Sequence, residues 1–242
     1  MRILSIDVGI KNIAVCVVQF DASGHRIVEW VIINLIKDLL ENQLKCCVTR
    51  RGALCGKIAC NKVVVNDKLL GFCNLKTCQK ELVGSYTKKQ IKKYKKINAN
   101  HVSLAILGSS IYHGLLALKN LDNLDYVLIE NQPVLKNPKM KSIQMIIYSF
   151  FMFMGETPKS SHKTLLFNPS TKLKVYDGPA IESNIKNKYA MRKFLSVEYT
   201  KYFLNKTANT NWIKFFNDNP KKDDLADSYL QALTYHYKYL KS

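Results

Sequence analysis

Four carboxylates fall where core residues or a helix start are expected: Asp7, Glu130, Asp224 and Asp227. Asp7 ends the run Ile3-Leu4-Ser5-Ile6, and Glu130 ends Tyr126-Val127-Leu128-Ile129. Both runs have the apolar, largely β-branched or aromatic make-up of buried strands. An ionised carboxylate beside a core is costly unless it is paired or holds a cation. Gly9 and the apolar run Ile13–Phe20 follow Asp7, which places it near the mouth of a hairpin. Asp224 and Asp227 are three apart in Lys221-Lys222-Asp223-Asp224-Leu225-Ala226-Asp227, so a helix brings them to one face, where like charges repel. A shared cation removes that conflict. Asp223, just before them, also suits a helix cap. Carboxylate oxygens are the ligands Mg²⁺ prefers. Two such ions, roughly 3.5–4 Å apart, stabilise the attacking and leaving oxygens of a phosphodiester displacement.

A second set is made of thiols. Of seven cysteines, six lie between Cys46 and Cys78. Residues 1–20 lack the layout of a secretion signal, because Asp7 interrupts the apolar stretch, so an intracellular protein is expected. In that setting clustered cysteines favour a metal over disulfides. A structural Zn²⁺ takes four ligands in a tetrahedron. The expected ligands are Cys47, Cys55, Cys73 and Cys78, with Cys46 and Cys60 as substitutes. They define a cysteine-rich module over 46–86, inserted in a single domain of 1–242. Val63-Val64-Val65 and Leu69-Leu70 would form a small hairpin inside it.

Lysine and arginine total 37 against 18 acidic residues, a net charge of +19. Such an excess favours a polyanion as partner, since neutralised phosphates release counterions. Lys88, Lys89, Lys92 and Lys93, interleaved with Tyr86 and Tyr94, are candidates for DNA-backbone contact. Lys188, Arg192 and Lys193 lie on a basic amphipathic helix expected over 184–205. There is no early run of 18 apolar residues, so no membrane span is expected.

The elements that must hold these residues form an α/β pattern. Strands are expected at 3–7, 13–20 and 26–33, as an antiparallel meander, and a short helix within 34–45. A helix at 102–121 leads into a strand at 126–130, which should join the first strand in parallel and set Glu130 beside Asp7. A helix at 140–154, a strand at 163–168, a loop at 174–184 and a polar connection at 207–220 precede the closing helix.

Ile6-Asp7-Val8-Gly9-Ile10-Lys11-Asn12, Ile129-Glu130-Asn131-Gln132 and Asp223-Asp224-Leu225-Ala226-Asp227-Ser228 occur in order. Together they resemble the RuvC-like Holliday junction resolvases, above all the poxvirus-type resolvases of large DNA viruses, with fungal mitochondrial resolvases as relatives. The resemblance implies an RNase H-like fold, a mixed five-stranded sheet flanked by helices. It implies a Mg²⁺-dependent endonuclease that nicks four-way DNA junctions in pairs as a homodimer, at the site of viral DNA replication. Asp7, Glu130, Asp224 and Asp227 would then hold the metal, and Lys193 or Lys188 would stand near the scissile phosphate. The cysteine-rich insert is the departure from the shorter members. Three other readings compete: another RNase H-like nuclease of hybrid or transposase type, an actin-like ATPase, and a non-catalytic zinc-dependent DNA-binding protein. The ATPase needs a second glycine-rich phosphate loop, which the sequence lacks.

Overall fold

The structure, a computed structural model, describes residues 1–135, 137–156, 161–207 and 210–240. In chain order the strands are β1 (Arg2–Asp7), β2 (Asn12–Asp21), β3 (Gly24–Asn34), β4 (Thr49–Arg50), β5 (Ala53–Leu54), β6 (Asn61–Val65), β7 (Lys68–Phe72), β8 (Lys92–Lys93), β9 (Tyr126–Glu130) and β10 (Lys163–Phe167). The α-helices are α1 (Lys37–Glu41), α2 (Lys76–Ser85), α3 (Leu104–Leu116), α4 (Pro138–Gly155), α5 (Lys188–Lys206), α6 (Thr210–Asp218) and α7 (Lys222–Tyr235). The chain divides into two compact units, Met1–Leu35 with Ser103–Ser242, and Ile36–Val102.

The first unit is built on a five-stranded sheet in the order β10-β9-β1-β2-β3. β1, β2 and β3 form the antiparallel meander, with Asp7 opposite Ala14. β9 lies parallel to β1 and β10 parallel to β9. This is the mixed five-stranded sheet that the resemblance implied. β1, β2 and β9 are buried along nearly their whole length, which is why their sequences run apolar rather than alternating. α7 buries Leu225, Ala226, Tyr229, Leu230 and Leu233 in this unit's main core. Its Gln231 amide donates to the Ile6 and Leu128 carbonyls at 3.4 and 3.1 Å, tying the helix to the two strands that end in Asp7 and Glu130.

Helix boundaries follow capping chemistry. Ser103 Oγ accepts from the Ile106 amide, so α3 starts there and not at Val102. Asn137 caps α4 with Pro138 in its first turn, and Asn187 caps α5 by accepting from the Tyr189 and Ala190 amides. The expected polar connection at 207–220 is corrected. Residues 210–218 form α6, and residues 208–209 lie outside the described set. Trp212, Phe215 and Phe216 recur at helical spacing, and the Phe216 ring stacks on Trp30 at 5.4 Å.

The second unit has its own small core of Cys46, Val48, Val63, Phe72, Cys73, Cys78 and Leu82. A three-stranded sheet runs in the order β7-β6-β8, and β4 and β5 form a separate ribbon. The unit reaches beyond 46–86 because Leu44 N donates to the Tyr94 hydroxyl and Ile97 N to Gln43 Oε1. The basic run is a turn followed by β8 paired to β6, with its lysines exposed while Ile91 and Tyr94 face inward. Among the described residues no helix is long and apolar enough to cross a membrane.

Candidate active site and metal centre

Strand ends and one helix start supply the acidic residues. Asp7 closes β1 and Glu130 closes the adjacent parallel strand β9, so register alone brings them together. Asp224 and Asp227 stand in the first two turns of α7. All four, with Asp223, Arg192 and Lys193, line one cavity of about 540 Å³. Lys188 is exposed at the start of α5 and is not among the residues lining it. Lys88, Lys89, Lys92 and Lys93 belong to the second unit, all exposed.

Local contacts hold each group. Gly9 lets the chain turn tightly after β1, since a Cβ there would meet the Asn12 carbonyl oxygen at 2.5 Å. Gln132, just past Glu130, gives its backbone N–H to Gln144 Oε1 of α4 at 2.8 Å. Its side-chain amide reaches the Val8 carbonyl at 3.5 Å. Ser196 Oγ of α5 donates to Asp227 Oδ1 at 2.5 Å. Lys193, one turn earlier on α5, makes an ion pair with Asp223.

One residue of this site carries no role in the sequence reading. The Lys172 ammonium lies 2.6 Å from Asp227 Oδ2, 3.7 Å from Glu130 Oε1 and 3.8 Å from Asp7 Oδ1. It comes from the 3₁₀ helix Pro169–Val175 that follows β10, and Thr234 Oγ1 of α7 fixes this turn by donating to the Lys172 carbonyl at 2.8 Å. The signal in sequence was only a lysine shortly after a strand, in Pro169-Ser170-Thr171-Lys172. Nothing local says that this strand ends beside Glu130.

The electrostatics call for a cation here. Burial, then the hydrogen bond and negative charge of Glu130, push the Asp7 carboxyl well above the usual range; Lys172 opposes this and Asp227 adds to it. Burial and the neighbouring Asp223 charge raise Asp224. Burial would raise Asp223 too, but the Lys193 ammonium bonded to it outweighs this and its net shift is downward. Burial would lower Lys172, yet Asp227, Asp7 and Glu130 raise it overall, so it stays charged. The donors are all carboxylate oxygens, the set suited to Mg²⁺. Their arrangement around an ammonium shows that the pocket accommodates positive charge. The residues present fit a hard divalent cation.

Among the described residues, the group of cysteine, histidine and acidic ligand atoms that closes to within 4.8 Å of one another is Cys46, Cys55, Cys73 and Cys78. Cys46 thus stands where Cys47 was expected. Successive residues of an extended chain face opposite sides: the Cys46 side faces the unit's core at 2% exposure, and Cys47 is only partly buried. Cys60 instead gives its thiol to the Phe72 carbonyl. The Sγ separations Cys55–Cys73 and Cys55–Cys78 are 3.7 and 3.9 Å. A tetrahedron with Zn–S of about 2.3 Å has edges of about 3.8 Å, so the thiols present fit a zinc ion. A hydrogen bond from the Lys57 amide, aided by the neighbouring thiols, holds Cys55 down to about 7, whereas burial pushes Cys78 up to about 12.

Several known proteins are similar to this chain. An uncharacterized protein, L451, of Acanthamoeba polyphaga mimivirus is 29% identical, with 97% of this chain and 74% of that protein covered. Among solved structures, the yeast mitochondrial Holliday junction resolvase Ydc2 is 16% identical with a TM-score of 0.49, covering 98% of this chain and 83% of that one. The fowlpox virus Holliday junction resolvase is 16% identical with a TM-score of 0.47, covering 98% of both chains. The T. thermophilus RuvC, in complex with Holliday junction substrate, is 11% identical with a TM-score of 0.46, covering all of this chain and 96% of that one. The model of the family described as mitochondrial resolvase Ydc2 / RNA splicing MRS1 matches residues 3–134. That match runs from the strand ending in Asp7 past the strand ending in Glu130 and takes in more than half of the chain, which therefore belongs to the mitochondrial resolvase Ydc2 / RNA splicing MRS1 family.

Proposed function

We propose that this protein is a structure-selective endonuclease that resolves four-way DNA junctions by paired, symmetric nicks, serving recombination and concatemer resolution of viral DNA. The observation that carries the reading is the convergence of Asp7, Glu130, Asp224 and Asp227, from β1, β9 and α7, on one cavity of a strongly basic chain. Asp7, Glu130, Asp224 and Asp227 would hold two Mg²⁺ ions. Such ions, when bound, activate a water and offset the charge that develops on a phosphodiester in displacement. Lys193, oriented by Asp223, and Arg192 on the same helix supply positive charge at the cavity for the scissile phosphate. Lys88, Lys89, Lys92, Lys93 and Lys188 would hold the flanking backbone, a role that suits their exposure.

Residues 1–242 would act as one RNase H-like domain, into which the cysteine-rich segment is inserted. Zn²⁺ held by Cys46, Cys55, Cys73 and Cys78 would stabilise that segment, whose core is too small to be strong by itself. Opposed strands of a junction call for two active sites related by a two-fold axis, which a homodimer provides.

The test is cleavage of a synthetic four-way junction with Mg²⁺, beside a linear duplex of the same sequence. Paired nicks across the junction are expected, with little cutting of the duplex. Asp7→Asn should slow cleavage by about a hundredfold or more while binding is kept. Equal rates for this variant and the wild type would defeat the catalytic site and leave a DNA-binding role. Indiscriminate duplex cutting would keep the nuclease and remove the resolvase.

A further inference from the structure

The second unit carries a feature that the acidic site does not explain. From Lys45 to Ile58 the chain runs out and back as an antiparallel ribbon, irregular at Gly56, whose N–H donates to the Cys46 carbonyl. Lys45 bridges Ile58, Cys46 N donates to the Lys57 carbonyl, Cys55 N donates to the Val48 carbonyl, and Thr49 and Arg50 pair with Leu54 and Ala53. Its tip is the two-residue turn Arg51-Gly52, with φ of 50° and 79°. Thr49 to Leu54 are all exposed, and Leu54 keeps 71% of its surface.

The base of the ribbon is anchored, whereas its tip is not. Cys46 and Cys55 lie on its two strands and belong to the four-thiol cluster. The tip lies three residues before Cys55 in the chain, roughly 10 Å away at the rise of a strand. Among the described residues neither Arg50 nor Arg51 makes an ion pair. From Asn42 to Asn66 there are no acidic residues, while Lys45, Arg50, Arg51, Lys57 and Lys62 are all cationic.

The residue at the turn is also the wrong one for folding alone. A two-residue hairpin with both φ values positive favours Asn, Asp or Gly at its first position. The neighbouring hairpin in this unit obeys, with Asn66 and Asp67 at φ of 46° and 60°. The ribbon instead places an arginine there, against local preference. Such conflicts gather at functional positions.

We propose that the Thr49–Leu54 hairpin is a DNA-reading finger that enters the major groove of a duplex arm, with Arg50 and Arg51 contacting base edges. The inference rests on the branched-DNA reading above and extends it to a second contact surface. The major groove, about 12 Å wide and 8.5 Å deep, admits a two-stranded ribbon, and arginine pairs with guanine O6 and N7 there. The thiol cluster holds the base of the ribbon rigid while the tip projects.

The test uses the full chain, zinc-loaded, on a labelled four-way junction in Ca²⁺. The variants are Arg50→Ala with Arg51→Asn, and Arg50→Lys with Arg51→Lys. Asn suits the turn, so the first variant removes both guanidinium groups without opposing the hairpin; zinc content and melting temperature verify that it is folded. Affinity should fall by about tenfold or more in the first variant, and the lysine pair should recover only part of it. Wild type should protect guanine N7 in the arms from dimethyl sulfate, and the first variant should not. A folded first variant that binds like wild type, a lysine pair that restores full affinity, or absent N7 protection would each overturn the finger. Failure of the wild type to cut the junction in Mg²⁺ is a separate outcome: it removes the resolvase reading, whereas hairpin-dependent N7 protection would still support the finger.

Discussion

Lys172 shows how one side chain alters the account of a site. Four carboxylates around a shared cavity repel one another, and the ammonium among Asp7, Glu130 and Asp227 offsets that repulsion. Its side chain is 12% exposed, so solvent screens the arrangement weakly. Removing one partner of a buried ion pair strands the other charge, at a cost of about 3 kcal/mol or more. Lys172→Met should therefore lower the melting temperature clearly, and Mg²⁺ should raise it more in the variant than in the wild type. Equal Mg²⁺ responses would argue that ammonium and metal do not share these carboxylates. His25 offers a pH test away from the site. Burial, then the charges of His236 and Lys206, lower it from 6.5 to about 4, and its ring nitrogens lie 2.7 and 3.1 Å from the Tyr229 and Tyr237 hydroxyls. In the unfolded chain the imidazole takes a proton below about 6.5, and in the fold it does not until about 4. The unfolded state then binds more protons, so stability falls as pH drops across that window, by about 3 kcal/mol in all. Denaturant titrations of wild type and His25→Gln between these pH values should show a shallower slope in the variant.

At the scale of elements, strand direction decides which thiols meet. Cys46 and Cys47 are adjacent, and only Cys46 shares a cluster with Cys55, Cys73 and Cys78. Cys46→Ser should cost most of the bound zinc measured by elemental analysis, while Cys47→Ser should retain about one ion per chain. The reverse pattern would mean that the ribbon pairs in another register. Chelation should unfold the second unit before the first, because four thiol ligands are a large part of its small core. The same scale explains α6. Its aromatic residues look like isolated apolar positions in a polar stretch until Trp30 of β3 is set beside them, where Trp212 bonds the Ile27 carbonyl and Phe216 stacks on the indole.

For the whole molecule, net charge and symmetry make the predictions. A chain of +19 bound to a phosphate lattice should lose affinity steeply with salt, and the logarithmic slope counts the phosphates engaged at about −0.9 each. If two copies act on one junction, mixing wild type with excess Asp7→Asn should accumulate singly nicked junctions. Products that are still doubly nicked in proportion to wild type would show that one chain cuts both strands.

What the residues could reveal without coordinates was set by local chemistry. Apolar runs that stop at a carboxylate marked β1 and β9, and an acidic helix start marked α7, because a buried strand or a charged first turn leaves a signature in neighbouring residues. The parallel pairing of β1 and β9 also followed, since a helix between two buried strands leaves few other solutions. Lys172, Ser196 and the choice of Cys46 over Cys47 were decided only in three dimensions. Lys172 lies far along the chain from Asp7 and 55 positions before Asp227, and it reaches them because β10 pairs beside β9 and Thr234 pins the following turn. A contact across such distances is fixed by register and packing, and sequence spacing carries no record of it.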